Sequence, residues 1–313
     1  GLVALADVAK LEEQAGAFHL GFLFGPRVNA GGRVGAADLG ARLLSTDDPV
    51  EARQLAQQLD SLNRERQQIE MQVLAEAIEQ VERGLGRAGR MVFVAGEGWH
   101  PGVIGIVASR LKERYQTPAC VVALGNGIGK GSGRSMSGFD LGAAVIAARQ
   151  AGLLVNGGGH AMAAGFTVEA ARAAALGEFL AGRLHLAAGP DGLKPEMGFD
   201  GVLQPGAASP ELVALLEQVG PFGSGNAEPR FALPAVRILR ADRVGTDHVR
   251  CILGGPGDAR LKAIAFRACG QPLGDLLMAF GGPALHLAGH LRADRWQGKV
   301  GVQFVIEDAA PAN

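Results

Sequence analysis

The chain has 313 residues, with 30 Lys and Arg against 31 Asp and Glu, 7 His and 3 Cys, and it is 48% hydrophobic. This is an ordinary globular balance with material for two or three domains. No run approaches about 18 uninterrupted apolar residues, which excludes a spanning helix. Cys120, Cys251 and Cys269 are odd in number and far apart, which excludes a disulfide framework and any CxxC metal knuckle and makes a reducing cytoplasm the expected home.

The near-neutral total hides an asymmetry. Residues 1–84 hold 8 Lys and Arg and 13 Asp and Glu, residues 85–190 hold 10 and 5, and residues 195–313 hold 11 and 12. The basic part is therefore the middle third. Arg outnumbers Lys 24 to 6; Arg is the better fork for phosphate, although a GC-rich genome produces the same bias. The opening GLVALADVAKLEEQ has no leader character and the first Met is Met71, so a piece of a longer protein is expected.

In chain order, GPRVNAGGR at Gly25 to Arg33 comes first. Arg27, Asn29 and Arg33 among three glycines suit an anion held by close backbone and two guanidiniums; a glycine-rich turn with incidental surface arginines is the plainer alternative. From Asp48 to Glu82 the spacing predicts one long helix, with Asp48 as N-cap, Pro49 at N1 and Glu51 at N3. Its apolar stripe, Leu55, Leu59, Leu62, Ile69 and Val73, is narrow and interrupted by Arg66, as suits a helix bridging two bodies. Gly84, Gly86 and Gly89 end it.

Residues 91–185 alternate in type. Apolar runs at Met91 to Ala95 and Ala119 to Leu124, a strand at Ala163 to Val168, and helices at Val103 to Arg114, Leu141 to Arg149 and Glu169 to Leu184 predict a small α/β domain with a mixed or parallel sheet. Within it, GEGWHPGVIGIVASR sets Trp99 and His100 at the mouth of a helix whose free N–H groups suit phosphate; Trp99 either stacks on a base or joins the core. GKGSGRS fails the Walker and GxGxxG patterns, and presents Lys130, Ser132, Arg134 and Ser135 from a strand or turn. NGGGHAMAAGF reads as a loop in which Gly157, Gly158 and Gly159 permit close approach of a ligand and His160 follows. Pro190, Gly192 and Pro195 mark a linker, and after one helix at Pro210 to Val219 the period changes. Short runs at Val236 to Val244, His248 to Leu253, Leu261 to Phe266 and Val300 to Ile306 predict a five-stranded OB-like barrel. No HExxH, GxSxG or carboxylate cluster with metal-ligand spacing occurs in the sequence.

Taken together, GPRVNAGGR, LNRERQ at Leu62 to Gln67, WHPGVIGIVASR, GKGSGRS, GGGHAMAAGF and PFGSGNAEPRF at Pro221 to Phe231 resemble, in this order, the RecJ-type single-strand-specific 5′-to-3′ exonucleases of the DHH phosphoesterase superfamily. The resemblance implies an α/β plus β architecture. Residues 1–47 would end a DHH catalytic domain, 48–84 form the connecting helix, 85–190 a DHH-associated domain and 195–313 an OB-fold, in a ring around single-stranded DNA. It further implies Mn2+ or Mg2+ in the full-length enzyme, with the metal ligands absent from this chain, which alone would be inactive. Arg27, Asn29, Arg33, Trp99, His100, Lys130, Ser132, Arg134, Ser135, Gly157, Gly158 and Gly159 would hold DNA, and His160 would act at the metal centre. Single-stranded DNA is the implied partner, together with a single-strand-binding protein, for a monomeric repair and recombination enzyme. Ala227 stands where the family pattern commonly has Pro, so an altered turn is expected there. A stand-alone single-stranded nucleic-acid binder and a phosphodiesterase for short oligonucleotides are the other classes in view; the second has no use for a barrel.

Overall fold

The computed structural model describes residues 1–189, 192–193, 196–223, 225–279, 281–296 and 299–312, and of 295, 296, 299 and 300 the backbone alone. Pro190 and Pro195 of the expected linker lie outside the described residues. The chain divides into two compact units after Glu196.

In the first unit, α1 (Leu2–Val8), a π-helical turn (His19–Phe24), α2 (Gly25–Val34) and α3 (Leu39–Ser45) gather on one end of α4 (Pro49–Glu82). The Asp48 side chain accepts from Val50 N–H at 2.8 Å, capping α4 where Pro49 has no donor to lose. The GPRVNAGGR segment is thus a helix and not a turn. Its glycines serve helix packing: a Cβ on Gly31 would sit 3.3 Å from Leu59 and 2.7 Å from the Ala36 carbonyl.

The buried stripe of α4 changes character along its length. Ala52, Leu55, Ala56 and Leu59 pack with Leu5, Phe24, Leu39 and Leu43, while Val73, Ala77 and Val81 join a second core. Between the two runs the stripe is polar: Asp60, Asn63, Arg66 and Glu70 are all buried.

After α4 come β1 (Arg87–Ala88), β2 (Met91–Glu97), α5 (Ile104–Tyr115), β3 (Ala119–Gly125), β4 (Ile128–Arg134), α6 (Leu141–Gln150), β5 (Asn156–His160), β6 (Ala163–Glu169) and α7 (Ala173–Ala188). The strands form one sheet in the order β1-β2-β3-β4-β6-β5, parallel only between β2 and β3. The expected mixed α/β domain is therefore present. On one face, α5 and the end of α4 cover Val92, Val94, Ala119 and Val121; on the other, α6 and α7 cover Cys120, Val122, Ala164 and Phe166.

The second unit has β7 (Gly201–Val202), α8 (Pro210–Val219), β8 (Phe231–Val244), β9 (His248–Gly254), β10 (Arg260–Ala265), α9 (Pro272–Met278), β11 (Leu285–Trp296) and β12 (Lys299–Pro311). Strands β8 to β12 close on themselves in the order β8-β9-β10-β12-β11, with β11 returning to β8 and β10 parallel to β12. This is the five-stranded OB barrel. Inward residues, among them Leu233, Leu253, Leu287 and Phe304, form its buried core.

Candidate nucleic-acid interface

Strand β4 alternates strictly. Gly129, Gly131 and Gly133 face the core under α6 and α7, where a Cβ on Gly131 would lie 2.0 Å from the Phe166 ring and one on Gly133 2.6 Å from Leu141. Lys130, Ser132 and Arg134 then occupy the opposite face by the two-residue period.

Strand register brings two of the sequence motifs onto this face. Ser132 pairs with Gly165 and Gly165 with Gly158; Arg134 pairs with Ala163 and Ala163 with His160; Lys130 pairs with Thr167 and Thr167 with Asn156. The result is three cross-strand rows, each polar at β4, with Asn156 and His160 flanking Gly158 in β5 and Gly165, Ala163 and Thr167 in β6 between them. Helix α5 covers this sheet face over β3 and β4, whereas Asn156, Gly158 and Gly165 stay open, and a hollow of about 370 Å³ lies over them.

The Gly157–His160 segment is thus the edge strand β5 and not a loop, and none of its glycines has a positive φ. Gly157 and Gly159 are required by packing, since Cβ atoms there would come within 2.9 Å of Val145 and 2.3 Å of the Ala163 carbonyl. Gly158 has open space above it, and the Cβ position of Gly165 has nothing closer than 3.9 Å.

The first turn of α5 walls the face. A Cβ on Gly105 would lie 3.0 Å from Arg134 Nη2 and 3.1 Å from Ser132 Oγ, so the missing side chain is what lets both groups rest against the turn. Arg134 Nη1 donates to Ser132 Oγ at 3.1 Å and to the Gly133 carbonyl at 2.9 Å. Arg33, from the end of α2, donates to the Gly102 carbonyl at 3.1 Å, just before α5. Neither Arg33 nor Arg134 has a carboxylate partner among the described residues. Burial, and then the neighbouring Arg33 charge, pull the Arg134 guanidinium below its ordinary range.

His100 and His160 have the same local geometry: each Nδ1 accepts a backbone N–H two residues on, from Gly102 at 3.0 Å and Met162 at 3.3 Å. A neutral ring then carries its proton on Nε2, as a donor. Lys130 Nζ donates to Thr167 Oγ1 at 3.0 Å, and Asn29 is exposed on α2.

Three of the expected contact residues are engaged inside the protein. Trp99 is a core residue, 6% exposed, whose indole donates to Glu76 at 2.6 Å and packs so tightly on Gly96 that a Cβ there would lie 2.2 Å from the ring. Ser135 is 1% exposed and its hydroxyl donates to the Phe139 carbonyl at 2.7 Å. Arg27 is held by the buried Asp60 carboxylate at 2.8 Å and donates to the Leu23 carbonyl at 2.7 Å.

Sequence reasoning missed Arg110, Gly105, Gly165 and Glu70, and read Arg66 only as a break in an apolar stripe. That break was the available signal: Arg66 is buried, with Glu70 one helical turn on as its counter-ion. It also named no residue of the barrel surface, where a hollow of about 530 Å³ is lined by Arg240, Asp242, Arg250, Ile252, Lys262 and Gln303. Asp242 ties Arg240 at 2.8 Å and Arg250 at 3.6 Å, and Asp294 ties Lys262 at 2.8 Å.

The PFGSGNAEPRF block is bound to the barrel. Glu228 holds Arg292 by two bonds of 2.9 and 2.7 Å, Arg230 reaches Glu307 at 2.7 Å, and Asn226 donates to the Val219 and Pro221 carbonyls. Ser224 of the block lies outside the described residues. Among the described residues no group of three or more His, Cys, Asp or Glu could hold a metal ion, and no helix is long and apolar enough to cross a membrane.

Comparison with known proteins matches residues 87–185 to the DHHA1 domain and residues 199–308 to the RecJ OB domain. The single-stranded-DNA-specific exonuclease RecJ of Escherichia coli (strain K12) is 34% identical over 99% of this chain, and that of Bacillus subtilis (strain 168) is 32% identical over 97%. The chain spans 54% and 38% of those two relatives. The crystal structure of RecJ in complex with Mn2+ from Thermus thermophilus matches all of this chain and 44% of its own, with a TM-score of 0.80 at 29% identity. The corresponding Mg2+ complex matches 98% of the chain with a TM-score of 0.78.

Proposed function

We propose that this chain, which is RecJ-type in both its DHHA1 and its OB domain, is the strand-holding part of a single-stranded-DNA-specific 5′-to-3′ exonuclease of DNA repair and recombination. The observation that carries this reading is the register of β4, β6 and β5, which sets Lys130, Ser132 and Arg134 across a bare floor from Asn156, Gly158 and His160. Arg134, Ser132 and Lys130 take phosphate oxygens along one side, backed by the N-terminal turn of α5. Arg33, His100 and the exposed Asn29 bind the flanking backbone, and Gly157 to Gly159 let the strand approach β5. His160 donates from Nε2 to the reacting phosphate. Trp99, Ser135 and Arg27 contribute by holding α4, β4 and α2 in place. The barrel hollow around Arg250 and Lys262 binds single-stranded DNA in the manner of OB domains.

Hydrolysis in the whole protein draws on Mn2+ or Mg2+, the ions of the related Thermus structures. In this reading the chain's own part is binding and orientation of the strand. The same reading has the protein act as a monomer in the cytoplasm, as its free thiols suit, alongside a single-strand-binding protein. Sedimentation with and without that partner tests this part.

The deciding experiment is fluorescence anisotropy with a labelled 5′-phosphorylated single strand of about 20 nucleotides, against the same sequence as duplex and as RNA, over a salt series. Preference for single-stranded DNA with steep salt dependence is expected. Equal, weak binding to all three would reject the reading, and a preference for di- or trinucleotides would move the chain to the small-oligonucleotide class.

A further inference from the structure

Glu70 is 5% exposed, at the C-terminal end of the polar stretch of α4. Its Oε1 accepts from Arg110 Nε of α5 at 2.7 Å, and its Oε2 pairs with Arg66, whose Nη2 donates to Asn63 at 2.9 Å. One carboxylate therefore serves two guanidiniums from two helices. As a device for stability alone this is poor, because buried ion pairs are commonly replaceable by apolar packing. The cluster also leaves the buried Arg66 Nε without a partner among the described residues.

The geometry around α5 gives it a reason. Arg110 lies five residues, or about 7.5 Å along the helix, from Gly105, against which Arg134 and Ser132 rest. Gly102, just ahead of the helix, takes the Arg33 hydrogen bond, and a Cβ there would lie only 2.0 Å from the Arg33 carbonyl. Both unpaired guanidiniums are thus indexed to the start of α5, and the start of α5 is indexed to α4 through Arg110 and Glu70. Among the described residues, Glu70 is the carboxylate ion-paired to any of Arg33, Arg66, Arg110 and Arg134, four like charges that repel one another. Burial lowers Arg66 most, against the pull of Glu70, and the charges of Arg33 and Arg110 lower it further.

We infer that Glu70 is a positioning residue for nucleic-acid phosphate: through Arg110 it fixes α5 so that Arg33 and Arg134 stay side by side with no ligand bound. The role rests on the phosphate reading of that site. Removing the charge frees the end of α5, and the two arginines then part.

The test uses the full chain with Glu70→Gln and Glu70→Asp, each checked by thermal melting. Phenylglyoxal modification, mapped by mass spectrometry, reads the arginines without any DNA. Arg33 and Arg134 should react several-fold faster in Glu70→Gln than in the parent, while Arg27, held by Asp60, stays as it was, and Glu70→Asp restores much of the protection. In single-strand binding, Glu70→Gln should weaken affinity about tenfold in the parent but less than about twofold in an Arg134→Ala background. A folded Glu70→Gln protein with unchanged arginine reactivity, or the same loss of binding in both backgrounds, overturns the inference. If Glu70→Gln does not fold, Arg110→Lys replaces it, keeping the charge and losing the fork, with the same outcomes deciding. If the parent chain binds no single strand, the phosphate reading fails, and the modification result still decides whether Glu70 places the arginines.

Discussion

The two sheets of this molecule answer the same problem in opposite ways. The barrel closes, so each strand has one inward face that must be filled, and Leu233, Leu253, Leu287 and Phe304 fill it. The mixed sheet stays open at β5, and its last strands carry glycine where the barrel carries bulk. On the packed side those glycines admit side chains from neighbours, such as Phe166 over Gly131. On the open side, at Gly158 and Gly165, they admit nothing that the fold itself supplies. Absent bulk is therefore structural on one face and available to a ligand on the other.

The contrast breaks most directly in the barrel. Phe304→Ala empties the centre of a closed core and should cost about 3–5 kcal/mol in urea unfolding. Next, Gly131→Ala forces a methyl into the Phe166 ring and should destabilise by about 1–3 kcal/mol. Gly158→Ala, on the other face of the same sheet, should stay within about 0.5 kcal/mol of the parent yet weaken single-strand binding several-fold. Equal stability losses at the two glycines would dissolve the distinction between the faces.

Trp99→Phe separates a core role from a ligand role. Loss of the indole hydrogen bond to Glu76 should cost about 1–2 kcal/mol near neutral pH, with DNA binding little changed. The Trp99 N–H, and after it the Gln72 amide, hold the Glu76 carboxyl below its usual range. That contribution is present above the unfolded carboxylate pKa of about 4.3 and is lost as pH falls through the lower folded value. The gap between parent and variant should therefore close in acid, by thermal melts over a pH series. The pair at the site is read in binding and cleavage, not in stability. Arg134→Ala should reduce the salt slope of log K by about one, whereas His160→Ala should leave binding intact and depress cleavage only in a full-length enzyme.

Much of this was legible in the residues. The long helix with its Asp48 cap, the strands and helices of 91–185 and the barrel all follow periodicity, because apolar spacing reports which side of an element meets a core. The sequence expectations missed where glycine was taken at face value. The turn held open as the alternative for Gly25 to Arg33 is a helix, since Gly31 and Gly40 allow close helix contact. Gly157 to His160 reads as a loop but is a strand, because its backbone groups pair with β6. Strand β11 and helix α9 were not anticipated, the first being interrupted by Gly289, where the ladder bulges and a Cβ would lie 2.0 Å from the Val305 carbonyl.

Residue types and their spacing were enough to mark the segments for which phosphate binding is proposed, because Arg, Lys and Ser beside Gly combine donors with close backbone approach. Which of those groups meet was set by packing between distant parts of the chain. β6 lies between the two motifs and sets their register; Asp60, Glu76 and the Phe139 carbonyl engage Arg27, Trp99 and Ser135; Glu70 joins two helices 40 residues apart. Local pattern fixes which way a side chain leaves its own strand or helix. What it finds there depends on elements brought in from elsewhere in the chain.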